Sequence, residues 1–382
     1  MRRLVLLGGG HAHVEVLREL AQRPVADVAC VLVTPGARHH YSGMVPGFLR
    51  GTYGENDLSL DLAALARAAG ARLVPAAAVR IDPAERTVWT EAGPEPFDLC
   101  SCDVGAAAAG LSETPGAAEH AFALRPIAGV GGLRATLDRL AAAAGPAEPT
   151  ACVVGGGAAG VEVALALVSA LGARGRRPAV TIVERKTTLL PGHAPRARAA
   201  AQRVLAARGV TVRAGASVAS VSEDAVTLAD GTQVSSACTV WLAGAAAPSV
   251  IAESPLPHGA GNFLQVDATL RAVDGSPVWG AGDCIALEGA PWMPRSGVYA
   301  VRQGPVLAHN LRAALDGRPP RAYRPQRSAL ALLATGDDRA ILAWRALAAE
   351  GRWVWTLKDA IDRRWVRRYR VDGEDTFAGA GE

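Results

Sequence analysis

The amino-acid sequence predicts an α/β protein, and three observations carry that prediction. Half of the 382 residues are hydrophobic, a fifth are charged and 5% are aromatic, while alanine and glycine abound. Such a composition buries closely packed helix–sheet cores and excludes disorder as the main state. The succession of buried strand, glycine turn and helix occurs twice, at residues 4–20 and 151–170. A short apolar strand near residue 278 then ends in Gly280-Ala281-Gly282-Asp283. At about 150 residues per domain, the length allows two or three domains.

In the first start, Leu4-Val5-Leu6-Leu7 reads as a buried strand, Gly8 to Gly10 as the turn, and the chain from His11 as a helix. This arrangement aims helix N-terminal amides at a pyrophosphate. Gly8 and Gly10 fill the first two positions of G-x-G-x-x-G, but His13 takes the third, and the next strand ends in Thr34 rather than in an acid. Alone, this start reads equally well as a bland glycine turn in a parallel sheet. In the second start Gly155, Gly157 and Gly160 complete the pattern, and the following strand ends in Glu184, 27 residues after Gly157. A carboxylate there accepts hydrogen bonds from the ribose hydroxyls of NADH and repels a 2′-phosphate. The adjacent Arg185 leaves room for NADPH. In the third segment, Asp283 can accept a hydrogen bond from the ribityl chain of FAD, with Gly282 admitting the phosphates. Two Rossmann-like dinucleotide-binding domains are therefore expected, one for FAD and one for NADH.

In this order the three motifs resemble the two-dinucleotide flavoproteins of the pyridine nucleotide-disulfide oxidoreductase superfamily, over residues 1–315. The segments His11-Ala12-His13-Val14-Glu15, Tyr41-Ser42-Gly43-Met44-Val45-Pro46-Gly47 and Gly297 to Ala308 are similar to the NADH dehydrogenase-like flavoprotein that can precede selenide, water dikinase, and more distantly to type II NADH dehydrogenases. The resemblance implies an FAD domain split into 1–112 and 235–315, with the NADH domain, 113–234, inserted between. Residues 103–110 and 241–248 are glycine- and alanine-rich crossings suited to two passages of chain lying close together. Residues 316–325 form a linker to a C-terminal domain, 316–382, read as a hairpin (329–334 and 340–344) followed by a basic amphipathic helix over 354–370.

The same resemblance implies site residues. Gly8, Gly10, His11, Ala12, Val79, Gly282, Asp283 and Val298 would hold FAD; Gly155, Gly157, Gly160 and Glu184 would hold NADH. Glu162, in the Gly-Val-Glu that follows the second glycine turn, would hold the nicotinamide amide near the flavin. The alternative for Glu162 is a first-turn glutamate favoured by the helix dipole. Amides of a helix starting near Ser296 or Gly297 would face the charge that develops on reduced flavin. Gln303 matches part of a glutamine signature that lines a quinone pocket, and Pro46, Tyr41 and Tyr299 would be its walls or simply core.

The family's C-x4-C pair would fall within 39–47, where there is no cysteine, so a dithiol relay is excluded. The six cysteines are scattered without metal-ligand spacing, and Cys100 and Cys102 read as buried thiols. His11, His13, His39 and His40 read as structural or flavin-contacting groups, with no metal implied. The net charge of +4 is too small to argue for nucleic acid, but residues 351–370 carry seven basic groups against Asp359 and Asp362. There Val354, Leu357, Ile361 and Trp365 form one apolar stripe, which either lies on an anionic membrane or docks on the flavin domain or on a second subunit. The opening Met1-Arg2-Arg3 and its short apolar run do not make a signal peptide, and no stretch reaches the roughly 20 apolar residues of a membrane span. The expected protein is cytoplasmic, or peripheral on the inner face of the cell membrane. Its expected activity is that of an FAD-dependent NADH dehydrogenase, passing electrons from NADH through flavin to a quinone-like acceptor. The alternatives are a reductase for a selenium- or sulfur-linked acceptor, and a nucleotide-binding redox sensor.

Overall fold

A computed structural model of the chain describes residues 1–143, 148–172, 175–372 and 376–377. Two five-stranded, all-parallel sheets form its frame. The first runs Val278–Gly280, Leu99–Cys102, Arg2–Leu7, Val28–Val33, Ala71–Val74. The second runs Ala121–Ala123, Thr239–Trp241, Thr150–Val154, Ala179–Glu184, Thr211–Ala214. In each, the strand ahead of the glycine turn lies at the centre and is buried, as Leu4 to Leu7 and Ala151 to Val154 show. That is the position a doubly wound sheet gives its ligand-binding turn.

The two units are joined by the glycine- and alanine-rich crossings, whose segments Ala107–Ala108 and Ala245–Ala246 pair antiparallel. Thr239–Trp241 is buried inside the second sheet, and the chain returns to the first unit through the crossing at 241–248. The first glycine helix, His11–Gln22, packs on the long helix Gly297–Asp316. Gly304 makes that approach possible, since a Cβ there would press on the Glu15 side chain and the Ala12 backbone.

The C-terminal unit has three antiparallel strands, Ala331–Ala334, Ala340–Trp344 and Leu347–Gly351, followed by the helix Arg352–Tyr369. The third strand is an addition to the expected hairpin. Its two-residue turn, Arg345-Ala346, carries a left-handed Arg345 (φ 52°) and lacks the glycine or asparagine that signals such turns.

The helix departs from the expected stripe. Val354 and Trp365 are buried, but Leu357 and Ile361 are 37% and 43% exposed, and Trp353 is 56% exposed. The docked face is completed by Lys358, Asp362, Val366 and Tyr369 instead. The helix is turned this way because Lys358 and Asp362 make a buried ion pair of 2.8 Å, and Lys358 Nζ donates to the Gly43 carbonyl at 2.7 Å. Burial of these two charges is tolerated because each finds a charged or hydrogen-bonding partner.

Candidate functional site

Both glycine turns are built as their sequences require. Gly8 and Gly155 have left-handed φ of 84° and 118°, and a Cβ on either would strike the backbone of the neighbouring strand's end, at Asp103 and Leu242 respectively. Gly160 allows the second helix to meet its own turn, since a Cβ there would run into the Gly155 carbonyl. In the first helix His13 stands in for that third glycine. Its ring is fully buried and tied by Nδ1 to the Gly8 carbonyl (2.6 Å) and by Nε2 to Ser101 Oγ (2.8 Å). Burial lowers its pKa to about 4 despite the Gly8 bond, so the ring is a neutral strut.

Asp103 was not singled out from the sequence. Its carboxylate accepts from the Ala12 and His13 amides at 2.7 and 3.0 Å, at the N-terminus of the first glycine helix, and lies against both Gly10 and Gly282. Burial lifts its pKa to about 7 against those two bonds. The available signal was its place at the C-terminal end of a parallel strand, where such sheets bind ligands.

Around this turn the structure gathers His11, His39, Tyr41, Ser42 and Gly297. His11 and His39 meet edge to face with ring centroids 4.6 Å apart, and a Cβ on Gly297 would touch His11 Nε2 and Ser42 Oγ. The Gly297–Asp316 helix starts there with Ser296 as its N-cap, its first amides facing the cluster, with Val298 in that turn. The Nε2 atoms of His11 and His39 are buried without a hydrogen-bond partner. Burial lowers both pKa values, that of His11 to about 4. Buried orphan nitrogens, open glycine cradles and a helix N-terminus are what FAD would use, so these residues fit it. Val79 lies where the register of its hairpin shifts between Ala78 and Arg80, so it stands out of the ladder and is 51% exposed.

From the C-terminal helix, Trp365 closes the cluster, stacked on Tyr41 at 4.3 Å and 5.2 Å from His11. Below it Tyr369 donates to the buried Glu15 at 2.6 Å, as does Arg368 at 3.0 Å. Pro46 is buried on the helix Val45–Leu49, and Tyr299 is buried with its hydroxyl donating to the Gln326 carbonyl. Gln303 is fully buried and accepts from the Gly282 amide at 2.6 Å, which makes it a brace for the Gly282-Asp283 turn.

On the second unit, Glu184 accepts from the Gly156 amide at 2.6 Å and the Lys186 amide at 2.8 Å, so its carboxylate is held at the glycine turn. Glu162 accepts from the Ala334 amide at 2.8 Å, and burial raises its pKa to about 7 in spite of Lys358 nearby. Burial works against the Lys358 ammonium, yet Glu162 and Asp362 together hold its pKa above the ordinary value. Glu162, Lys358, Asp362 and Tyr41, the first and last of them half-buried, thus form one polar group that joins the second unit, the C-terminal helix and the first unit. Among the described residues all six cysteines are buried free thiols, and no cluster of His, Cys, Asp and Glu suits a metal ion.

Asp283 is the residue whose loss should bear on FAD most directly. Asp283→Ala removes an acceptor and leaves Arg125, 3.2 Å away, without its carboxylate. The variant should purify folded but with substantially less flavin, the absorbance after dialysis giving the occupancy. Full occupancy would make Asp283 a turn residue only.

The pattern of the pyridine nucleotide-disulphide oxidoreductases matches residues 2–312. The chain belongs to that family. It is 34% identical over 182 residues to an NADH dehydrogenase-like protein of Mycobacterium tuberculosis, an alignment covering 46% of this chain and 45% of that protein. The chain therefore spans less than half the length of that curated relative. It is 24% identical over 391 residues to the type II NADH:quinone oxidoreductase of Staphylococcus saprophyticus, covering 96% of this chain and 95% of the relative. In structure it resembles the sulfide:quinone oxidoreductase of Aquifex aeolicus with a TM-score of 0.81 and 19% identity, over 100% of this chain and 93% of that one. That likeness establishes the two-sheet fold.

Proposed function

We propose that the protein is an FAD-dependent NADH dehydrogenase that passes electrons from NADH through flavin to a quinone-like acceptor. One observation carries this reading: a cluster suited to a flavin (His11, His39, Tyr41, Gly297) meets the acid Glu162 of the nucleotide unit through Lys358 and Asp362, with no cysteine between them. Flavin supplies the hydride and electron chemistry. Glu184 takes the ribose hydroxyls of NADH, and Glu162 offers its second carboxylate oxygen to the nicotinamide amide. Trp365, Tyr41 and Pro46 shape the acceptor side, with Gln303 bracing the flavin turn behind it. The wording of Tyr41 to Gly47 and of Gly297 to Ala308 supports a place near the flavoproteins that precede selenide, water dikinase.

The test is anaerobic reduction of the purified yellow protein by NADH, followed by a panel of quinones, disulfides and selenium compounds. NADH should bleach the flavin and a quinone should restore it with sustained turnover, NADPH being the poorer donor. Reduction by NADH without turnover on any acceptor would leave a redox sensor. Preference for NADPH would shift the credit from Glu184 to Arg185.

A quinone dissolved in lipid calls for a surface that reaches it. No helix among the described residues is long and apolar enough to cross a membrane. The outer face of the C-terminal helix instead presents Trp353, Leu357 and Ile361 at four-residue spacing, with the basic residues Arg364 and Arg367 beyond them. Such a face suits the inner, anionic surface of a membrane, each arginine there contributing about 1 kcal/mol. The protein should pellet with anionic vesicles at low salt and be released at high salt. A Trp353→Ser, Leu357→Ser, Ile361→Ser variant, which keeps the docked face intact, should stay in the supernatant. A variant that loses dimerisation instead would assign this face to a second copy of the chain.

A further inference from the structure

The helix that starts at the second glycine turn, Ala158–Leu171, is held along one face by the C-terminal unit. Glu162, Leu165 and Ser169 stand at i, i+3 and i+7 on it and so share that face. The strand Ala331–Ala334 ends against the first turn of the helix, where the Ala334 amide donates to Glu162 at 2.8 Å. The chain after it, Thr335 to Asp338, grips the helix two turns further on. Ser169 Oγ donates to the Gly336 carbonyl at 2.5 Å, and Arg208, the residue that ends the helix Pro195–Ala207, donates to Ser169 Oγ at 2.8 Å. Arg208 also pairs with Asp337 Oδ2 at 3.3 Å, while the buried Thr335 donates its hydroxyl to Asp337 Oδ1 at 2.6 Å. Gly336 has a left-handed φ of 76° and lies so close that a Cβ there would strike the Leu165 carbonyl and Ser169 Oγ. From the other side, Arg50 of the first unit pairs with Asp338. Four consecutive residues of the C-terminal unit thus stand between the two dinucleotide units and touch both.

We propose that Ser169 and Arg208 are positioning residues for hydride transfer: by clamping the Gly336-Asp337 turn they keep the Ala334 amide on Glu162 and so fix where the nicotinamide lies against the flavin. The proposal rests on the reading of Glu162 as the holder of the nicotinamide amide. With one Glu162 oxygen taken by Ala334, the strand aims the other, and the clamp aims the strand. In the step itself NADH gives up one hydride and leaves as the oxidised nucleotide, and the flavin receives both electrons and the proton. Ser169 and Arg208 make and break no bond in it. They act through placement, to which such a step is sensitive, since a shift of about 1 Å caused by a distant change can cost about 100-fold in rate. The two units also meet where Arg134 donates to the Phe48 carbonyl at 2.7 Å, so loss of the clamp should leave them together.

The experiment mixes holoproteins rapidly and anaerobically with NADH, or with NADH deuterated at the transferred position, and follows the flavin absorbance in S169A, R208M, R208K, E162A and the R208M/E162A double variant. S169A and R208M should each lower the limiting rate of flavin reduction about 10–100-fold. The NADH concentration for half-saturation should stay near that of the parent, because the Gly155 turn and Glu184 still hold the dinucleotide, and the deuterium effect on the limiting rate should be fully expressed. R208K should recover part of the rate. If Arg208 acts through Glu162, the double variant should be no slower than E162A. Parent-like rates in S169A and R208M while E162A is slow would overturn the proposal alone. So would a double variant slower than E162A by the whole R208M factor, or a weakened NADH dependence with an unchanged limiting rate. A parent-like rate in E162A would overturn the reading of Glu162 and the proposal with it.

Discussion

Gly160→Ala should raise the NADH concentration needed to reduce the flavin by about 10–100-fold, the equivalent of the 1–3 kcal/mol that overpacking costs, while FAD stays bound. The added methyl meets the Gly155 carbonyl, which is backbone on the tightest bend of the turn. Gly156 offers a contrast, because there an added Cβ meets chiefly the side chains of Leu189 and Glu184. Relief at Gly160 requires the helix Ala158–Leu171 to move off the strand Thr150–Val154, and the amides aimed at the dinucleotide move with it. A rapid-mixing titration with NADH, alongside a flavin absorbance measurement, reads both quantities. An unchanged NADH dependence would show that the turn can open at no cost.

Lys358→Met should loosen the C-terminal helix by about 3–5 kcal/mol, the usual consequence of stranding a buried carboxylate. Lys358 and Asp362 are each 7% exposed at the side chain, and without the ammonium Asp362 keeps only the Tyr41 hydroxyl. Hydrogen exchange across Arg352–Tyr369 should accelerate while the two parallel sheets stay protected. Two carboxyl groups, Asp362 and Glu162, lose the ammonium, and both set the same sign of pH dependence. Burial already raises the pKa of Asp362 and loss of Lys358 raises it further, so the defect should shrink as the pH falls and the carboxyl becomes neutral. The double variant K358M/D362L should recover most of the loss. Unchanged exchange in K358M at neutral pH would mean that the pair adds nothing to docking.

The frame of this fold was legible because its signals are local. Gly155, Gly157, Gly160 and Glu184 are fixed by a turn and one strand, and the helix start at Gly297 by a short stretch of chain. What escaped depends on partners far apart in sequence. Asp103 acquires its role only when the strand Leu99–Cys102 lies beside the turn at Gly8 to Gly10. Gln303 points at the Gly282-Asp283 turn, where the Gly282 amide donates to it, a pairing that no spacing along the chain could disclose. The rotation of the C-terminal helix was misread for a related reason. Lysine and aspartate count as solvent-facing in any periodicity argument, whereas here Lys358 and Asp362 are partners first and charges second.

The first sheet has a further consequence, for how the chain is made. Its edge strand Val278–Gly280 pairs with Leu99–Cys102, so a growing polypeptide must wait through the whole of the inserted unit before that edge is covered. The second sheet is complete once Trp241 has emerged. During synthesis the inserted unit can therefore fold first, while the N-terminal half waits with Cys100 and Cys102 on an uncovered strand, an edge open to pairing with another nascent chain. Gly282 and Asp283 directly follow the covering strand, so closing the sheet and forming the turn at Gly282-Asp283 are expected together, late in synthesis.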